Sequence, residues 1–164
     1  MISRQEMLEE AVYQPQQNLD VAAGRAVFET SCASCHRFGA LGTDHGVAGL
    51  NLTESPARSA KYTLLEAVML PNRVVAPAHE TTVVVTTEET VRGLVVRETA
   101  QTVTLLTSGA TVTEVPKAQI KSRRKEKTSI MTEALSDSLG QTQLRNLAAF
   151  LTDAPPGSTP APVR

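Results

Sequence analysis

The feature that most constrains this chain is a change of rhythm at Thr81. From there to Ile120 it reads TTVVVTTEETVRGLVVRETAQTVTLLTSGATVTEVPKAQI, dense in Val and Thr and cut by turn residues at short intervals. β-Branched side chains are stiff at χ1 and suit a pleated surface, and alternation of period two follows from side chains that point to opposite faces of a strand. Four strands are expected, at 82–87, 90–97, 102–107 and 111–115. Their connections are too short for crossover helices, so the strands form an antiparallel meander, as a sheet or curled into a small barrel.

Both flanks keep a helical period instead. Residues 2–13 predict a short helix, and Gln14 to Asn18 (QPQQN) breaks it as a linker. Asp20 caps a second helix, in which Val21, Gly24, Val27 and Phe28 fall at helical spacing. A third is expected over 57–70, with Leu64, Leu65, Val68 and Met69 along one side and Pro71 ending it. Helical character resumes from Ser136 to Thr152, with Leu139, Leu144, Leu147 and Phe150 as its apolar positions. Residues 37–55 read as a long Gly-rich loop, Lys121–Lys127 as a charged loop and 153–164 as a flexible tail. The expected class is α+β. Segments 20–80 and 121–152 form one discontinuous helical domain, 81–120 is an inserted antiparallel β module, and 1–19 is a helix with its linker.

The chain has 164 residues, enough to bury a core without staples. Only 3 % are aromatic and none is Trp, so a large embedded cofactor would help to fill such an interior. A net charge of −1 provides no general pull toward nucleic acid. No apolar run approaches the roughly 20 residues of a membrane span.

Both cysteines and one of the three histidines sit together in C32-A-S-C-H36. Three chemistries use such a cluster. A dithiol redox switch usually stands in a βαβ context, whereas here a helix precedes the motif and a loop follows. Structural zinc needs four closed ligands, drawn here from Cys32, Cys35 and two of His36, His45 and His79. His36 adjoins Cys35, and the other two histidines lack the usual close spacing. Covalent haem fits best. Two thiols two residues apart on a helical turn reach two vinyl groups on one porphyrin edge, and the next residue points beneath the ring.

A low-spin electron carrier needs a sixth ligand, with Met1, Met7, Met69, Met131, His45 and His79 as candidates. Met69 belongs to an apolar helix face, where Met is commonly core filler. Met131 stands in the loop KTSIMTEALS before the last helix and is the first choice. In the run KSRRKEK, Arg123 or Arg124 would pair with haem propionates or dock an acidic donor; otherwise the run is a solvated loop. The β module shows no catalytic constellation.

The stretches AAGRAVFETSCASCH, LLEAVMLPNRVVAPAHET, VRGLVVRETAQTVTLL, IKSRRKEKTSIM and LSDSLGQTQLRNLAAFL resemble a known family. They are similar to class I c-type cytochromes, and most of all to the haem-binding domain of planctomycete and verrucomicrobial proteins that is often fused to a membrane-bound dehydrogenase-like β-propeller. The resemblance spans about residues 20–151. It implies one haem c attached at Cys32 and Cys35, His36 as proximal ligand, Met131 as distal ligand, and a backbone carbonyl at Leu50 that accepts the proximal imidazole N–H. The chain departs from the family pattern with Met131-Thr132 in place of Met-Pro, and with GLNL (Gly49–Leu52) in place of a Gly-Pro-Asp-Leu run.

The implied role is electron transfer, not catalysis, with a dehydrogenase or another cytochrome as redox partner and no nucleic acid or membrane span. Haem attachment of this kind takes place outside the cytoplasm, which implies a periplasmic or other extracytoplasmic protein. The opening MISRQEMLEE shows no secretory leader, so a trimmed precursor or one domain of a longer chain is expected. The competing reading is a haem-based sensor or a zinc-binding interaction module.

Overall fold

The computed structural model describes residues 2–13, 18–153 and 155–157. The chain divides into two compact units, Met1–Glu66 with Ser136–Arg164, and Ala67–Leu135.

The first unit is helical. Helix α1 spans Arg4–Tyr13 and α2 spans Val21–Ser31. As expected, the Asp20 carboxylate caps α2 by accepting the Ala23 N–H at 2.9 Å, which satisfies one of the orphan donors of the first turn. Helix α3, Lys61–Met69, begins in this unit, and α5, Gln141–Thr152, closes it. Both α1 and α2 pack on α5. Glycine at position 24 is what lets α2 approach so closely. A Cβ there would lie 2.0 Å from the Asn146 carbonyl oxygen and 2.9 Å from the Phe150 Cβ.

All three phenylalanines of the chain converge beneath this crossing. Phe28, Phe38 and Phe150 have ring centroids 5.2–6.1 Å apart, two of the pairs edge-on. That geometry matches the negative face of one ring to the positive edge of another. Arg58 lies over the Phe38 ring at 4.8 Å. Its guanidinium donates to the carbonyls of Thr53, Leu151 and Asp153 at 2.6–2.8 Å. One side chain thus ties the segment before α3 to the end of α5.

The second unit is a five-stranded antiparallel sheet. After a two-residue hairpin in the first unit, β1 Arg37–Phe38 with β2 Leu41–Gly42, the strands are β3 Thr81–Thr86, β4 Thr90–Glu98, β5 Thr102–Leu106, β6 Val112–Pro116 and β7 Ile120–Glu126. Their order across the sheet is β6-β5-β4-β3-β7. Four of these match the expected strands to within about a residue at each end. Residues 90–93 of β4 pair with β3 and 94–98 with β5, and within the latter pairing the register shifts between Val95 and Arg97, an irregularity of the β-bulge kind. Val84, Val91, Val103, Leu105 and Val115 form the core of one face. Val83 is buried as well, so both faces of β3 are covered, which is why TTVVV runs apolar where a half-exposed strand would alternate.

Four expectations need correction. Lys121–Lys127 is not a loop: Ile120–Glu126 is β7, paired along β3. It is an edge strand with almost every side chain exposed, so no buried face writes a hydrophobic alternation into the sequence. The helix expected over 57–70 begins at Lys61. Ser55 and Pro56 instead start a separate 3-10 turn over Pro56–Ser59, and Ala60 is extended. The helix expected over 136–152 is two, α4 Glu133–Asp137 and α5, divided at an extended Gly140 whose N–H is taken by the Gln143 side chain at 3.0 Å. Residues 37–55 hold the small hairpin and two 3-10 turns. Most of the linker at 14–18 and of the tail at 153–164 lies outside the described residues. Within the tail, the Pro156 carbonyl accepts the Ala40 N–H at 2.8 Å.

Candidate functional site

The C-terminal end of α2 builds the motif. Cys32 and Ala33 both donate to the Phe28 carbonyl at 2.9 Å, which ends the helix. The Cys32 carbonyl then accepts from Cys35 N–H at 3.1 Å and from His36 N–H at 2.9 Å. One carbonyl therefore closes the turn that brings both thiols and the imidazole together. All three side chains are partly exposed. The cysteines are free thiols.

His36 is oriented from the far side of the loop. Its Nδ1 lies 3.1 Å from the Leu50 carbonyl oxygen, and Leu50 itself is buried. A carbonyl only accepts, so Nδ1 carries the proton and the ring's lone pair is on Nε2. Such a bond fixes both tautomer and ring direction, the usual second layer of support behind a metal-binding imidazole.

A strap that sequence reading missed holds the same turn. Thr43 N–H donates to the Ala33 carbonyl at 3.1 Å, and His45 Nε2 donates to the Ser34 carbonyl at 2.8 Å. His45 takes a left-handed φ of +50° to do so, and the Asp44 carboxylate pairs with Arg37 at 3.5 Å. Gly42, at φ +73°, passes so close that a Cβ would lie 2.0 Å from the His36 carbonyl oxygen. The glycines at 42 and 46 were the available signal, since a non-glycine residue at positive φ costs roughly 1–2 kcal/mol.

Burial sets the electrostatics of the two thiols. Burial, with a smaller contribution from Cys35, pushes the Cys32 thiol up to about 12. Burial also raises Cys35, against a Ser34 hydroxyl that lowers it. A redox-active CxxC pair needs the opposite, a thiol that ionises easily. Among the described residues no group of three or more His, Cys, Asp or Glu comes together to hold a metal ion. Two thiols on one turn, beside an imidazole whose Nδ1 is held by Leu50, would suit two thioether bonds and one nitrogen ligand. The residues present fit a covalently attached haem.

The remaining candidates lie elsewhere. Met131 is in the second unit, half-buried, its N–H bonded to Ser129 Oγ at 3.1 Å. Arg123 and Arg124 are on β7. Arg123 pairs with both oxygens of Glu98 at 3.0 and 3.1 Å, and Arg124 with Glu126 at 3.0 Å. Met69 is buried in α3, Met7 is on α1, and His79 is in a 3-10 turn over Pro77–His79. Met1 lies outside the described residues.

Residues 21–89 match the family model described as Cytochrome c. No curated protein matches the chain. The match supports a c-type cytochrome, a haem-binding domain for electron transfer, and it implies covalently bound haem c. Among the described residues no helix is long and apolar enough to cross a membrane.

Proposed function

We propose that this protein is a one-haem electron carrier in which Cys32 and Cys35 form the thioether bonds, His36 is the proximal ligand through Nε2, and Met131 is the distal ligand. The observation that carries the reading is the turn closed by the Cys32 carbonyl, with His36 Nδ1 held at 3.1 Å by Leu50. The haem, when bound, supplies one-electron exchange between ferric and ferrous iron. Everything else falls to the chain. The strap of Gly42–His45 holds the attachment turn, and the Leu50 carbonyl keeps His36 in one tautomer. A carbonyl acceptor on Nδ1–H also makes the imidazole a stronger donor to the iron. The assignment of Met131 rests on the family resemblance and on the chemistry of a soft thioether, which favours ferrous iron and raises the potential.

The role is that of a carrier serving a dehydrogenase or another cytochrome in an extracytoplasmic compartment. Arg123 and Arg124 stay outside the haem site in this proposal, because Glu98 and Glu126 already engage them. The test is the absorption spectrum of protein matured by a periplasmic haem-attachment system. Haem that survives acid–acetone extraction, with sharp reduced bands and the weak far-red band of Met-ligated ferric haem, is the expected result. Met131→Ala should remove the far-red band and leave the haem attached. A colourless protein holding stoichiometric zinc would refute the proposal.

A further inference from the structure

We propose that the second unit carries a binding pocket for a small tetrahedral oxyanion, of the phosphate or sulfate kind, tied by one hydrogen bond to the segment that bears Met131. A cavity of about 260 Å³ opens at one end of the five-stranded sheet. It is lined by Thr81, Ser108, Thr128, Ser129 and Thr132, with Arg92, and with Ile130 as its aliphatic member. The volume is below the roughly 300–1,000 Å³ of clefts for drug-sized ligands. It suits a five-atom oxyanion with some water, not a nucleotide.

The lining selects charge as well as size. Five hydroxyl-bearing residues and one arginine line it, and no carboxylate is among the described lining residues. Glu126, which engages Arg92, is not itself a lining residue, and the lining offers an oxyanion hydroxyl-bearing residues and an arginine. Arg92 is partly committed, since it pairs with both oxygens of Glu126. A guanidinium has five N–H donors, however, and that pairing uses two. Glu126 is also shared with Arg124, so the cluster of two arginines and one carboxylate keeps a net positive charge.

The hydroxyls differ in what they have left to give. Thr81 Oγ1 donates to the Thr128 carbonyl at 2.8 Å, so its proton is spent within the wall. Ser129 Oγ accepts the Met131 N–H at 3.1 Å, which leaves its own proton for a ligand. Ser129 N–H is anchored separately, on Asn72 Oδ1 at 2.8 Å. An anion that takes the Ser129 proton makes that oxygen a better acceptor for Met131 N–H, because hydrogen bonds in a chain polarise one another. The pocket stands on its own geometry; its link to the redox centre rests on the Met131 assignment above. If the link holds, the coupling is reciprocal: an anion that binds the ferric state more tightly lowers the midpoint potential. Each tenfold preference corresponds to about 59 mV for one electron.

The experiment is calorimetry on the haem-loaded full chain in chloride buffer, titrated in turn with inorganic phosphate, sulfate and glucose, followed by a midpoint titration with the tighter anion. One saturable site for phosphate or sulfate is expected, with none for glucose. Arg92→Gln should weaken binding at least tenfold. Ser108→Ala, an exposed position, should weaken it several-fold and keeps the test open should loss of the Glu126 pairing unfold Arg92→Gln. No saturable binding of either anion, or full affinity in both variants, would overturn the pocket, and so would saturable binding of glucose alone. An unchanged midpoint at saturating anion would overturn the link to Met131. Met131→Ala tells the two readings apart. Retention of the far-red band in that variant ends the ligand assignment, while the calorimetry still judges the pocket.

Discussion

Replacing Gly24 with Ala tests the α2–α5 crossing by the sign of its effect. Helix propensity alone predicts a gain, because Ala is more favourable than Gly by about 1 kcal/mol in a helix interior. The packing predicts a loss. The added Cβ would lie 2.0 Å from the Asn146 carbonyl oxygen, 2.5 Å from its carbon and 2.9 Å from Phe150 Cβ. Carbon atoms prefer roughly 3.5–4.0 Å, so the helices must part by about 1 Å, and a gap of that size forfeits a quarter to a half of each well. Two of the three atoms met are backbone, so no rotamer change relieves the overlap. Strain of this kind costs about 1–3 kcal/mol. Loosening of the Phe28–Phe150 and Phe38–Phe150 contacts adds to it, at up to about 0.5–1.5 kcal/mol per pair. Set against the propensity gain, the net expectation is a loss of about 2–3 kcal/mol. Urea unfolding of the haem-loaded protein, followed by far-UV circular dichroism and by the Soret band, measures it. A midpoint equal to or above that of the parent protein would show that the helices do not need this glycine, and the reasoning from close approach would fail.

Three further outcomes are expected. Arg123 and Lys117 hold the Glu98 carboxyl down to about 2, from an ordinary value near 4.5. Its contribution is therefore complete above pH 4.5 and lost as pH falls through about 2, so Glu98→Gln should flatten the dependence of unfolding midpoint on pH within that window only. The pair is exposed, so the effect is small, and an identical pH profile for parent and variant would refute the assignment. In haem-free protein at pH 8, Cys32, raised to about 12 by burial, should alkylate with iodoacetamide more slowly than Cys35, and urea should erase the difference; mass spectrometry of the modified peptides reads both rates. Thr104 on β5 has a buried Oγ1 without a partner among the described residues, so Thr104→Val should raise stability by about 1 kcal/mol in urea unfolding.

Much of the candidate site was legible before any coordinates, because its signal is covalent in spacing. Cys32, Cys35 and His36 fall on one turn whatever surrounds them, and Asp20 announces the helix that leads there. Leu50 was legible only through family resemblance, since a backbone carbonyl has no side-chain signature. The His45 strap left only the glycines at 42 and 46 as a sign, because its hydrogen bond joins a side chain to the carbonyl of Ser34, eleven residues away. β7 was misread because an exposed edge strand rich in Lys and Arg shares its composition with a loop. Its pairing is decided by β3 and by ion pairs to β4, where Glu98 holds Arg123 and Arg92 holds Glu126.

Local rules determined where helices end, where strands alternate and which residues form the attachment turn, since each depends on neighbours within a few positions. Tertiary structure decided which surfaces meet. The match to the cytochrome c family stops at residue 89, yet the helix that seats α2 lies beyond it, at Gln141–Thr152. Nothing in the period of either helix says that Gly24 faces Asn146, or that the chain's three phenylalanines gather at one point. Hydrophobic periodicity marks a face for burial but carries no address for its partner. That address comes from shape and close packing, which exist only once the distant segments are in contact.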